Sequence, residues 1–178
     1  MGPIWFYFLT LVLLWGAIGV IRGFKKELGV TIILLVMMLL VYLIQLRVVP
    51  RFFETWPETR PALLLTLYQV LMLFGAFIAY QGYTLSFPGA NPPGTWGWIY
   101  GLIVGLLNGY LLWGTIWYYT ARLGYPLSLF SLPVSPLDQQ LVAYLPLSLL
   151  DQAGLSSEQV LYVLIFTLLA LLIVRVIR

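Results

Sequence analysis

The chain has 178 residues, of which 62% are hydrophobic and 8% charged, against roughly 45–50% and 25% in soluble domains, so it exceeds what a water-soluble fold can hide and reads as one membrane-embedded domain over residues 1–178. Nine Lys and Arg against six Asp and Glu give a net charge of +3; the bases sit at the ends of apolar runs and form no clustered face, which argues against a nucleic-acid partner and for topology signals and lipid-headgroup contact. Cys and His are both absent, which removes disulfides, thiolate nucleophiles, His acid–base work, and zinc, haem or iron–sulfur groups held by those ligands.

A membrane-crossing helix needs about 20 mostly apolar residues. Five segments qualify: residues 3–21, 28–46, 62–82, 98–120 and 158–177. The predicted fold is therefore all-α, a polytopic transmembrane helical bundle of about five spans plus one short interfacial helix within residues 121–157. The opening MGPIWFYFLT has neither a basic stretch before its apolar run nor a small-residue cleavage site, and is expected to be a retained span.

The first connection, RGFKKE, places Arg22, Lys25 and Lys26 together and predicts a tight turn joining spans one and two as a hairpin. The second mixes Arg47, Arg51 and Arg60 with Glu54 and Glu58, and offers Phe52, Phe53 and Trp56 to the interface. The third, YTLSFPGANPPGTW, is uncharged and rich in Pro and Gly, a surface loop.

The fourth connection is interrupted by Pro126, Pro133, Pro136 and Pro146. Ser135 with Asp138 has the spacing of a helix start, and Leu137, Leu141 and Leu145 recur every four residues, which predicts an amphipathic helix lying on the membrane. Ser156 and Gln159 have capping-box spacing ahead of span five. That span ends in Arg175 and Arg178, favourable beside the helix carbonyl end and lipid phosphates. With the N-terminus outside, Arg22, Lys25, Lys26, Arg175 and Arg178 all face the cytoplasm. The dense RGFKKE turn favours that orientation.

Glycine carries the packing signal, because helices in lipid associate where small residues let backbones approach. Gly97, Gly101, Gly105 and Gly109 recur every fourth residue in span four, and span one carries Gly16, Gly19 and Gly23. Spans one and four are thus expected to meet as the packed centre. The glycine-poor runs of spans two and five are expected to form an outer wall against lipid or partner helices.

None of the fifteen charged residues lies in the interior of a predicted span, Glu158 and Arg175 standing at the ends of the fifth, which argues against a pump or proton-coupled transporter. The amides deep in spans are Gln69 and Asn108. Asn108 borders the glycine stripe and suits an interhelical hydrogen bond worth roughly 0.6–2 kcal/mol. Trp5, Trp15, Trp96, Trp98, Trp113 and Trp117 fit an aromatic belt; their surfaces also suit lipid tails, quinones or pigments, and no cofactor is identifiable. Ser86, Ser128 and Ser131 have no nucleophile setting and are assigned to caps and turns. The segments IGVIRG (residues 18–23) and VGLLNG (residues 104–109) look alike and align Arg22 with Asn108; an old duplication and biased composition both produce such a match.

The stretch WGAIGVIRGFKKELGVTIILL, with Arg22, Gly23 and Glu27 in place, resembles the first hairpin of the colicin V production protein (CvpA) family, and YGLIVGLLNGYLLWG resembles its later glycine-rich span. The resemblance covers about a third of the chain. Asn108 departs from the Arg expected before Gly109, the loop before Trp98 lacks charges, and the fourth connection and fifth span extend beyond a four-helix core. What it implies is a multi-pass protein of the bacterial inner membrane, N-terminus outside, linked to secretion or the cell envelope, with no catalytic residues.

The expectation is a non-enzymatic accessory or assembly subunit of a larger membrane complex, its partners lipids and other integral membrane proteins. The alternative is a secretion or small-solute transport factor, with Asn108, Gln69 and the glycine seam bordering a path.

Overall fold

A computed structural model describes residues 3–52, 60–81, 87, 92, 94–126 and 134–177. The described residues form an all-α bundle, with helices α1 (Ile4–Arg22), α2 (Phe24–Leu43), α3 (Val49–Phe52), α4 (Arg60–Gln81), α5 (Thr95–Arg122), α6 (Pro136–Val142), α7 (Pro146–Gln152) and α8 (Ser157–Ile177). Five helices are long and apolar enough to cross a membrane; the chain is a multi-pass membrane protein. Among the sequence expectations, those for the side chains of Phe52, Phe53 and Trp56, for Glu54 and Glu58, for Ser86, Ser128 and Ser131, and for Arg178 lie outside the described residues.

The chain reverses between α1 and α2 at one residue. Gly23 adopts φ +87°, and its amide closes α1 on the Gly19 carbonyl at 2.9 Å. A side chain is strained at that φ, which glycine tolerates. The RGFKKE stretch is therefore not a separate turn before span two. Helix α2 begins at Phe24, and Lys25, Lys26 and Glu27 form its first turn, where a carboxylate suits the N-terminal dipole. Phe87, between α4 and α5, lies at this end of the bundle, its N donating to the Lys25 carbonyl at 3.3 Å.

At its other end α2 runs on through a π-helical turn, Ile44–Val48, into α3. Pro50 supplies the reason: proline has no N–H for the residue four back and its ring crowds that carbonyl, and a wider turn accommodates the mismatch. Arg47 in this turn meets Glu158 of α8 at 3.2 Å. Both side chains are exposed, so the pair contributes under about 1 kcal/mol.

Helix α2 is the axis of the bundle, which corrects its expected place in an outer wall. The apolar windows of α2 and α5 are each 56% buried, whereas those of α1 and α8 are 11% buried. Leu34, Met38 and Val41 of α2 pack with Leu64, Leu65 and Met72 of α4, Leu111 and Leu112 of α5, and Val160 and Leu164 of α8. Helix α8 is the outer wall, and α1 is peripheral apart from its glycine face.

Residues 134–152 also depart from expectation. Ser135 and Asp138 form the anticipated capping box, with Asp138 N donating to Ser135 Oγ at 3.1 Å and Ser135 N to Asp138 Oδ2 at 2.7 Å. No single surface helix follows. Pro146, starting a second short helix, divides the segment, and Leu145, Pro146 and Leu147 are buried. Gly114 of α5 makes room for them: a Cβ there would lie 2.6 Å from Pro146 Cδ. Leu137 stays exposed.

Asp138 does more than cap its own helix. Its Oδ1 accepts from Trp5 N at 2.8 Å, 133 residues away, so a fully buried carboxylate closes the first turn of α1, which has no side-chain N-cap. Two helix N-termini thus share one negative charge. Asp138→Ala is expected to lower stability by about 1–2 kcal/mol and to speed hydrogen exchange in the first turns of both α1 and α6. Faster exchange in α6 alone would show that the link to Trp5 contributes nothing.

Candidate functional site

The glycine faces of α1 and α5 meet. A Cβ on Gly101 would sit 2.5 Å from the Gly19 carbonyl oxygen, one on Gly105 2.5 Å from the Trp15 carbonyl oxygen, and one on Gly109 2.8 Å from Trp15 Cβ. Gly16 faces Leu102 and Leu106. Backbone lies on backbone along this seam, which leaves no lumen. Two of the expected packing glycines do something else: Gly97 faces the Pro92 carbonyl and not α1, and Gly23 makes the turn. Gly75, not singled out from sequence, lets Met37 of α2 approach α4.

Beside the seam lies a polar centre. Glu27 is fully buried and belongs to an apolar helical segment, Phe24–Val48, which corrects the expectation that no charge lies inside a span. Hydrocarbon offers a carboxylate no solvation, so its protein partners decide whether it is tolerated. Arg22 Nη1 from α1 approaches Oε1 at 3.3 Å; Tyr80 Oη from α4 donates to Oε2 at 3.0 Å; Asn108 Nδ2 from α5 donates to Oε2 at 2.9 Å. Four helices converge on this one side chain.

A second layer fixes the first. Asn108 Nδ2 also donates to the Glu27 carbonyl at 2.9 Å, and Thr31 Oγ1 donates to Asn108 Oδ1 at 2.7 Å, so the amide uses both its oxygen and its nitrogen. Asn108 thus bonds α2 and not the α1 partner of its glycine neighbours. The Arg22 guanidinium lies 4.4 Å over the Tyr80 ring, a cation–π contact, and Nη2 reaches the Tyr80 carbonyl at 3.5 Å. Trp15 packs edge-on against Tyr80 and Trp113. The similar segments IGVIRG and VGLLNG bring their aligned residues, Arg22 and Asn108, to the two oxygens of one carboxylate.

Arg22 is therefore more than a headgroup contact, since its side chain is only 20% exposed and paired. Lys25 is half-buried, Lys26 is exposed and Arg175 is half-buried. Gln69 lies on α4 with its Nε2 buried and, among the described residues, without a partner; it is not part of the Glu27 network. Sequence reasoning missed Thr31 and Tyr80, and named Glu27 only within the family resemblance, without a role. The available signal was an acidic residue immediately before a strongly apolar run.

Chemically the arrangement is a closed ion-pair and amide cluster. Hydroxyls within the spans are used to hold helices: those of Thr10, Thr66, Thr120 and Thr167 donate to the carbonyl four residues back, and that of Thr115 to Met38 Sδ. No group of three or more metal-binding side chains occurs among the described residues. Compared with known protein families, curated proteins and solved structures, the chain matches none.

Proposed function

We propose that this is a non-enzymatic accessory or assembly subunit of a larger complex in the bacterial inner membrane, N-terminus outside, related to the colicin V production proteins, and that it works by holding another integral membrane protein. The observation that carries this reading is the division of labour in the bundle. The polar cluster around Glu27 fastens α1, α2, α4 and α5 to one another, while α8 rests on α2 and turns Tyr162, Phe166, Leu169 and Ile173 outward.

The closed glycine seam and the satisfied carboxylate favour this over a solute path, which requires polar groups lining a route through the bundle. Helices in lipid gain little from apolar burial against one another, so shape on the α8 face selects the partner. The test is gentle solubilisation of the tagged protein followed by mass measurement of the intact particle. A particle heavier than the 20.2 kDa chain, holding a second membrane protein at fixed stoichiometry and losing it in Phe166→Ala with Tyr162→Ala, is expected. A lone chain, or a partner indifferent to those substitutions, overturns the proposal.

A further inference from the structure

Arg22 also lines a second feature. Val20, Ile21, Arg22 and Gly23 of the α1–α2 hairpin and Pro92, Gly94, Thr95, Gly97 and Trp98 of the α5 entry enclose a cleft of about 490 Å³. Among the described residues, Arg22 is the only charged residue that lines it. The other lining residues are three glycines, Val20, Ile21, Pro92, Thr95 and Trp98, the last 67% exposed, as an indole at the headgroup level is.

Arg22 thus belongs both to the Glu27 network and to the lining of this cleft. A guanidinium carries five N–H donors in one plane, and its bonds to Glu27 and to the Tyr80 carbonyl, at 3.3 and 3.5 Å, lie at the long end of the range. Tyr80 covers one face of it at 4.4 Å. The geometry thus gives Glu27 a loose hold on a group designed for bidentate contact with oxyanions. Lys25 and Lys26 follow directly in the chain and add positive potential at this membrane surface.

We infer that this cleft binds a phosphate group, with Arg22 as its anchor and Glu27 as the internal competitor for that anchor. A lipid phosphodiester and a free phosphate share this chemistry. Binding draws the guanidinium toward the cleft and weakens its hold on Glu27, so occupancy is coupled to the latch that joins α1 to the rest of the bundle.

Competition gives the test its direction. Native mass spectrometry of the purified protein in uncharged detergent, titrated separately with phosphatidylglycerol, phosphatidylcholine and inorganic phosphate, reads binding directly. Glu27→Gln is expected to tighten binding about tenfold or more, because the buried carboxylate that competes for the guanidinium is gone. Arg22→Gln is expected to weaken it about tenfold or more, and Trp98→Ala, outside the latch, provides a weakened variant should Arg22→Gln not fold. Binding of phosphatidylglycerol alone identifies a lipid headgroup as the source, and binding of inorganic phosphate identifies a soluble one. Equal binding in all variants, or weaker binding in Glu27→Gln, overturns the inference, as does no binding by the unaltered chain. A partner complex that fails to appear leaves this result unaffected, so the two proposals are separable.

Discussion

Replacing Glu27 by alanine is expected to cost about 3–5 kcal/mol of stability, the usual consequence of leaving one member of a buried ion pair uncompensated. The loss falls on four helices at once, because the substitution strands the Arg22 guanidinium, the Tyr80 hydroxyl and one side of the Asn108 amide. Glu27→Gln retains an acceptor for Tyr80 and is expected to cost clearly less. Asn108→Leu leaves the ion pair intact and is expected to cost about 0.6–2 kcal/mol, as interhelical hydrogen bonds in membranes do. Unfolding by increasing anionic detergent in mixed micelles, followed by helix content, measures all three. The double variant Arg22→Leu with Glu27→Leu is the sharper comparison: it removes both charges, so it should recover part of what Glu27→Ala loses. A double variant as damaged as the sum of its parts would mean that Arg22 and Glu27 act independently, contrary to the network geometry.

Why this carboxylate escapes a sequence reading is a matter of register. In RGFKKE the acidic residue stands beside three bases, and as a turn those charges all face water. The φ of +87° at Gly23 completes the reversal in one residue, so helix begins at Phe24 and Glu27 rotates inward beneath Asn108. Tyr80, which completes its coordination, lies 53 residues away. The central position of α2 is hidden for a different reason. Its run TIILLVMMLLVYLI is apolar all round, and in lipid an apolar surface is equally suited to protein and to hydrocarbon. The same limit does not apply to glycine, whose value lies in what it lacks: four-residue spacing marks a closely approached face in any solvent, and Gly101, Gly105 and Gly109 of α5 lie against Gly19, Trp15 and Val12 of α1. Asp138 stands between these cases. Its local capping box is written in Ser135-to-Asp138 spacing, whereas its bond to the Trp5 amide is set only by tertiary packing.

Gly19→Ala is expected to destabilise the bundle by about 1–3 kcal/mol, although alanine is the better helix former by up to about 1 kcal/mol. The reason is the nature of what surrounds it. A Cβ at Gly19 would stand 2.8 Å from Gly105 Cα and closer still to the Gly101 carbonyl oxygen, atoms of an α5 backbone that has no rotamer to change. Helix α1 must then move away, which loosens the Trp15 ring contacts and the Trp5–Asp138 and Arg22–Glu27 links that also hold it. Gly16→Ala tests whether backbone approach is the cause. Its Cβ would meet Leu106 Cδ2 at 2.7 Å and Cγ at 2.9 Å, and Leu102 Cδ1 at 3.1 Å, atoms of side chains, which can shift where a backbone cannot. That substitution is expected to be neutral or slightly stabilising, its strain offset by helix propensity. Equal losses at both positions, in the same detergent-unfolding measurement, would mean that volume in the seam matters and backbone contact does not. A loss confined to Gly19 would place the hold on α1 in the few residues where Gly19 lies against Gly101 and Gly105, one turn from the ion pair that Arg22 makes with Glu27.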